Sequence, residues 1–353
     1  SLTRNDEKEI MIGSGFSRTN LLIKTTQKVN NWLKIDLNTT LSDTSLKGAG
    51  TSENSRLMHV ITFRPIEGIS DFLDAEVAEG DYGINDSFTV NPLKQTNDDY
   101  RRSKNLVFNF NGAATINFTK NFIYRFEYGY RYGKDAAERF WGINTTNVIN
   151  FGYQPIASIE KTDIKSFRLS NVLTYDKKDF IQNHNLNIML GEELYSYERE
   201  NIKSSAKYFP KYIDAAHALR MMNLGIPDPI VATEYPANKF SSFFGRLNYD
   251  YKKRYLASVT FRADGSSKFA PGNQWGYFPS VALAWRISDE NFMKSTRQWL
   301  SDLKVRASYG AAGNNRISDE AWKKTFMVNT DKLFMEGNET TPTTFLQPDN
   351  ILS

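Results

Sequence analysis

From Trp275 to Ser288 the chain alternates without a break. Trp275, Tyr277, Pro279, Val281, Leu283, Trp285 and Ile287 are interleaved with Gly276, Phe278, Ser280, Ala282, Ala284, Arg286 and Ser288. Successive side chains of a strand point to opposite faces of its sheet, so a period of two gives one greasy face and one mostly small or polar face. The pattern recurs. Tyr255, Ala257, Val259, Phe261 and Ala263 alternate with Leu256, Ser258, Thr260, Arg262 and Asp264, and Leu303, Val305, Ala307 and Tyr309 alternate with Lys304, Arg306, Ser308 and Gly310. Phe122, Tyr124, Phe126, Tyr128, Tyr130 and Tyr132 follow the same rule, broken only at Ile123. Residues 33–41, 106–118, 167–175, 186–194 and 243–251 fit with lapses, and 16–26 fits more weakly. This predicts an all-β chain of about ten antiparallel strands, many at the roughly 9–11 residues that a tilted strand needs to cross a bilayer.

The connections are unequal. Lys120-Asn121, Lys177 to Asn183 and Lys252 to Arg254 are short and polar, whereas 46–102, 134–162, 198–238 and 313 onward read as long excursions rich in turn residues. Short turns at one end and long loops at the other are the habit of an outer-membrane barrel. A soluble sandwich rarely carries structureless loops of that length. The segment from Ser288 to Asp302 interrupts one short end, and its Phe292, Met293, Trp299 and Leu300 suit a short helix.

Composition excludes several alternatives. The longest apolar run is Val281 to Trp285, far short of the roughly 20 residues of a membrane helix. The net charge of +4 is spread in both signs, without the basic block of a nucleic-acid arm. There is no Cys, which removes disulfides, thiolate metal sites and thiol nucleophiles together. His59, His184 and His217 lack the spacing of paired metal ligands. No catalytic residue, metal site or cofactor is expected.

The most specific signal lies between residues 243 and 315. Phe243-Phe244-Gly245-Arg246-Leu247-Asn248-Tyr249-Asp250-Tyr251 leads into a strand ending Arg262-Ala263-Asp264-Gly265-Ser266-Ser267-Lys268-Phe269. Trp275-Gly276-Tyr277-Phe278-Pro279-Ser280-Val281-Ala282-Leu283-Ala284-Trp285-Arg286 follows, then Leu303-Lys304-Val305-Arg306-Ala307-Ser308-Tyr309-Gly310 and Gly313-Asn314-Asn315. In order and spacing this closely resembles the barrel of SusC/RagA-type TonB-dependent outer-membrane transporters of Bacteroidetes. Phe16-Ser17-Arg18-Thr19-Asn20 and Pro65-Ile66-Glu67-Gly68 resemble their counterparts more softly. Residues 1–353 then read as one internal portion of a barrel of about 22 strands, the size class of plugged transporters, without the plug domain and TonB box of the family.

That resemblance implies import of an oligosaccharide or peptide, a TonB complex as energy source, outer-membrane lipid around the barrel and a SusD/RagB-like surface lipoprotein as partner. A passive porin-like or structural barrel, or a soluble carbohydrate-binding β-protein, would share the alternation. Substrate contacts are expected among aromatics of the long loops, Tyr82, Phe88, Tyr100, Phe140, Trp141, Tyr153 and Tyr208, because aromatic faces beside amides and carboxylates suit sugars and peptides alike. Arg246, Arg286 and Arg306 fall on polar-face positions. Arg262 and Asp264 share a polar face too and suit a charge pair towards the lumen or plug, but the favoured reading is that Asp264-Gly265 turns the chain.

Overall fold

The computed structural model describes residues 1–8, 12–48, 91–296, 298–318 and 322–323, together with the backbone of four short strands between 326 and 348. One twelve-stranded antiparallel sheet dominates it. Its members are β1 (Leu2–Lys8), β2 (Gly15–Lys28), β3 (Leu33–Lys47), β4 (Asp99–Asn117), β5 (Phe122–Trp141), β6 (Ile156–Ile181), β7 (His184–Lys207), β8 (Ile226–Pro227), β9 (Val231–Tyr251), β10 (Tyr255–Ser266), β11 (Trp275–Arg286) and β12 (Lys304–Gly310). Each strand pairs with the next in sequence, except that β9 pairs directly with β7 and the two-residue β8 caps the far end of β7. β13 (Phe326–Asn329) pairs with β16 (Phe345–Pro348), and β14 (Leu333–Glu336) with β15 (Glu339–Pro342). β1 and β8 were not anticipated from the alternation. β1 lacks an apolar face, and β8 is too short to alternate.

The strand registers turn the sequence alternation into two physical faces. Tyr255 lies opposite both Tyr251 and Trp285, and Val259 opposite both Leu247 and Val281. On β11 the apolar set is the exposed one: Tyr277 is 63% and Leu283 57% exposed, while the intervening Ser280, Ala282 and Ala284 are half-buried. Small residues that are nevertheless sheltered mark the concave side. The sheet is thus greasy outside and polar inside, the reverse of a soluble fold.

The inner face carries a ladder of polar contacts. Asp36 accepts from Thr26 at 2.7 Å, Asn109 donates to Thr40 at 3.0 Å, Arg168 to Glu193 at 2.8 Å and Asn185 to Asp250 at 3.0 Å. Arg125 pairs with Glu127. The outer face also carries a polar cluster, where Tyr124 donates to Asn171 at 2.7 Å and Asn171 donates to Glu192 at 3.4 Å. At the end bearing the short turns, aromatic rings gather on the outer face. Tyr251 stacks on Tyr255, Tyr255 on Trp285, and Phe122 lies 4.6 Å from Tyr175, the arrangement of a membrane-interface girdle.

The long connections are shorter than the alternation suggests. Residues 134–141 and 156–162 continue β5 and β6, and 198–207 and 231–238 continue β7 and β9. The apolar alternation stops where the strands do not. The expected helix between Ser288 and Asp302 is a pair of 3-10 turns, Ile287–Asp289 and Asn291–Thr296.

Beyond the band the extended strands build a small core of their own. Phe140, Ala157, Ala206, Phe209 and Ala218 are buried, with Tyr100, Ile213, Leu219 and Met222 packed around them. Ala218 belongs to the short helix α2 (Ala215–Arg220), capped by Asp214, and a second short helix, α1 (Pro92–Asp98), starts at the Asn91 cap. This platform sits at the end opposite the short turns.

Candidate functional site

Two regions bring functional side chains together. The first lies on the inner face of β9 to β12. Arg262 and Asp264 are two residues apart on one strand and therefore share a face. The Arg262 Nε donates to both Asp264 oxygens, at 2.7 and 2.8 Å, and a terminal nitrogen donates to Ser242 Oγ at 2.9 Å. The guanidinium also lies 5.5 Å from the centre of the Phe244 ring. Phe244 in turn lies across Gly191, where a Cβ would collide with the ring, and Phe278 lies across Gly313 in the same way. Two aromatic rings are laid flat along a polar wall because glycine leaves room beneath them. Phe240, Arg262, Asp264, Phe269, Phe278 and Asn314 line a concavity of about 450 Å³ here.

This geometry corrects the expected turn at Asp264-Gly265. Both residues lie within β10, opposite Gly276 and Trp275 on one side and Ser242 and Ser241 on the other. Gly265 is favoured by closeness, since a Cβ there would lie 3.0 Å from the Trp275 ring. The chain reverses instead over 267–274, with Gly272 at φ 91°.

The remaining residues of the resemblance serve different ends. Arg246 faces inward and donates to Thr260 at 3.3 Å. Arg306, Ser308 and Gly310 share the inner face of β12 with their partners Ala284, Ala282 and Ser280. Tyr249, Tyr251, Tyr277, Pro279 and Trp285 face outward, and the Tyr249 hydroxyl lies 2.6 Å from His184 Nδ1. Ser267 ties β10 to β9: its Oγ accepts from the Lys239 amide at 2.9 Å and donates to Ala237 O at 3.2 Å. Arg286 faces Asp302 at 3.5 Å and Asp289 at 3.8 Å.

The second region is the tip of the platform. Of the loop aromatics, Tyr82 and Phe88 lie outside the described residues, as do His59 and Pro65 to Gly68. Tyr100, Phe140 and Trp141 are strand residues at the paired ends of β4 and β5, and Phe140 is in the platform core. Tyr153 and Tyr208 remain at the surface, 47% and 42% exposed. Both have left-handed backbones, φ 54° and 59°, a conformation uncommon for a bulky residue and costing of order 1–3 kcal/mol.

Buried neighbours hold them there. The Phe209 amide donates to Pro155 O at 3.2 Å, and both side chains are fully buried. Phe151 meets Tyr208 edge-on at 5.9 Å, and Lys207 Nζ lies 5.5 Å from the Phe151 ring. Asp228 accepts from Ser205 at 2.8 Å and Lys207 at 3.0 Å. These contacts, the serine hydroxyl first, hold the Asp228 carboxyl below its ordinary pKa. Phe151, Lys207 and Asp228 carry no sequence signal, because three separate segments supply them.

Among the described residues no group of three or more His, Asp or Glu is placed to hold a metal ion. The two regions offer stacking surfaces and fixed charges, which suit recognition and passage.

Comparison with known proteins gives these features a lineage. The family model for TonB dependent receptor-like β-barrels matches residues 38–338. TonB-dependent receptor P26 of Formosa agariphila is 30% identical over 263 residues, 74% of this chain and 25% of P26. TonB-dependent receptor SusC of Bacteroides thetaiotaomicron is 47% identical over 95 residues, 27% of this chain and 9% of SusC. The solved RagAB peptide transporter superposes with a TM-score of 0.67 at 19% identity, over 96% of this chain and 37% of that one. The chain thus spans about a quarter of the length of P26. An inside-out antiparallel sheet, a family match over most of its length and these relatives together make the chain a member of the TonB-dependent receptor β-barrel family, of the SusC/RagA type.

Proposed function

We propose that this chain forms part of the wall of an outer-membrane importer that takes up oligosaccharides or peptides too large for passive pores. The observation that carries the reading is the exposure pattern: Val281, Leu283 and Trp285 face out while Arg246, Arg262 and Arg306 face the concavity. A soluble β-protein would bury the first set. In a bilayer each exposed aliphatic side chain removed from water contributes about 1.5–3 kcal/mol.

On this reading the platform on β4 to β7 is the external mouth, Tyr153 and Tyr208 meet substrate there, and a SusD/RagB-like lipoprotein covers it. A TonB complex supplies the energy, and the Arg262–Asp264 wall faces the transport path. The protein in its complete form, restored to a deletion strain, tests this. Uptake of labelled oligosaccharide or peptide pools is expected to stop when the proton gradient is collapsed. Uptake that continues without the gradient means a passive barrel. A Tyr153→Ala/Tyr208→Ala variant should lower uptake at limiting substrate about tenfold, from stacking interactions of roughly 0.5–1.5 kcal/mol per ring. Unchanged uptake removes the tyrosines from the path.

A further inference from the structure

We propose that the inner face of β4 to β7 binds an acidic oligosaccharide, one bearing carboxylate or sulfate groups, at a site centred on Arg131. The inference rests on the importer reading above and names its substrate class. Arg131 lies opposite Asn109 of β4 and Ser166 of β6, and Ser166 lies opposite Tyr197 of β7. Neighbouring strands are roughly 4.8 Å apart, so Arg131 and Tyr197 stand about 10 Å from each other across a serine floor. Gly129 and Gly133 flank Arg131 on the same face of β5, which leaves the guanidinium room on both sides along its strand. Arg131 is exposed and Tyr197 half-buried. Tyr130 and Tyr132 occupy the outer face at this level, so the site lies at the upper end of the apolar band, below the platform.

Charge singles out this stretch of wall. From β2 to β9, three successive rungs of the inner face carry Lys24 and Arg168, then Arg131, then Arg199, and no carboxylate. The carboxylates of the same segments, Asp43, Asp163, Glu198 and Glu200, lie on the outer face. Those bordering the stretch on the inner face are engaged. Glu193 accepts from Arg168 at 2.8 Å, Asp36 from Thr26 at 2.7 Å and Asp135 from Asn105, and Glu127 pairs with Arg125. Among the described residues Lys24, Arg131 and Arg199 make no ion pair. A concave wall of one sign gathers ligands of the other. A guanidinium fork takes two oxygens of one acid group in parallel hydrogen bonds. The Tyr197 ring offers an apolar face to a sugar, and Ser166, Asn109 and Asn111 can meet its hydroxyls as donors and acceptors. An acidic peptide would answer the cations and leave the ring and amides without a role.

The test uses the complete protein purified in detergent, as wild type, as Arg131→Gln, as Arg131→Lys and as a Lys252→Gln control in a short turn. Titration calorimetry reads binding of tetragalacturonate, a sulfated carrageenan tetrasaccharide, neutral maltotetraose and tetraglutamate. The two acidic sugars tell carboxylate from sulfate, and wild type is expected to bind one of them at least about tenfold more tightly than maltotetraose or tetraglutamate. A hydrogen bond to a charged group is worth about tenfold or more in affinity. Arg131→Gln should therefore weaken that acidic sugar by at least about tenfold, Arg131→Lys should weaken it less, and the control should match wild type. Maltotetraose binding as tightly as the acidic sugars overturns the proposal, and so does a wild type that binds none of the four. Tetraglutamate binding as tightly overturns the oligosaccharide class. Undiminished binding to an Arg131→Gln protein that still migrates as a heat-modifiable barrel overturns the site. Uptake of the bound sugar that persists after the proton gradient is collapsed is a separate outcome, which removes the importer reading and leaves the site standing.

Discussion

β6 and β7 run for 26 and 24 residues, whereas β10 and β11 run for 12 each. The short strands do one job: they cross the apolar band, and alternation holds from end to end. The long strands do two. Their lower halves alternate like β10 and β11, while their upper halves stand above the band, with a conventional core on one side under α2 and polar bonds such as Asn201 to Glu160 and Thr162 on the other. One sheet is therefore stabilised by opposite physics at its two ends. Lipid removes apolar side chains from water below, and protein does so above.

Four changes would break or sharpen that contrast. The largest effect is expected from Phe209→Ala, which empties the centre of the platform core and should cost about 3–5 kcal/mol locally. Limited proteolysis should then cut within 206–220 while the barrel stays heat-modifiable. Loss of the barrel as well would mean that the two ends are not separable.

Next is Val281→Arg, a charge on the lipid-facing side of β11, with an expected cost of about 2–4 kcal/mol near the bilayer midplane. Ala282→Arg, one residue along and facing the concavity, should cost much less when the complete protein is unfolded in urea from vesicles. Equal costs would remove the distinction between the faces.

Tyr208→Asn is expected to act in the opposite direction. Asparagine tolerates a left-handed backbone, so about 1 kcal/mol of platform stability should be gained. Substrate affinity should fall in the same variant. A gain in stability with unchanged affinity would make the strain purely structural.

The smallest effect concerns acid. Glu290, in the turn after β11, accepts from the Tyr255 hydroxyl at 2.6 Å and the Trp285 indole at 3.2 Å. These bonds, Tyr255 first, lower its pKa. A depressed carboxyl contributes above its unfolded pKa, and that contribution is lost as pH falls through the folded value. Hydrogen-exchange protection of 287–296 should therefore be full at neutral pH and weaken below about pH 4, the ordinary carboxylate range. The β4–β7 platform contains depressed carboxyls of its own at Asp228 and Asp214, so Asp228→Asn/Asp214→Asn separates the two responses.

What could be read in the sequence follows the same division. β10 and β11 were legible to within a residue or two because a barrel strand with lipid on one face and the lumen on the other must alternate with period two. The upper half of β5, Lys134-Asp135-Ala136-Ala137-Glu138-Arg139, was not, because above the band the lipid no longer dictates which residues alternate. Asp264-Gly265 misled for a different reason. The pair favours turns, yet here glycine answers to the nearness of Trp275 and aspartate to the demand of Arg262. The charge pair was visible as two residues sharing a polar face, but its support from Ser242 and Phe244 depends on the β9 register. Tyr153 and Tyr208 could be named as loop aromatics. Their strain, and the contact of Tyr208 with Phe151, arise only when the 151–155 and 205–209 segments meet.

The chain-order pairing of the strands also sets how the wall can be assembled. Most steps add a neighbour across a turn of a few residues, so contacts form locally and the sheet can grow by one hairpin at a time. The step from β3 to β4 spans the longest separation, 51 residues from Gly48 to Asp98, and the step from β7 to β9 is also different, because the 23 residues from Tyr208 to Ile230 must close first. Compared with a two-residue turn this costs about 2 kcal/mol more in chain entropy. Phe209 and Ala218, which anchor that excursion to the platform, shorten the effective loop before β9 arrives. The platform would then act as a timing element during biogenesis, and its loss would appear first as a delay in barrel closure.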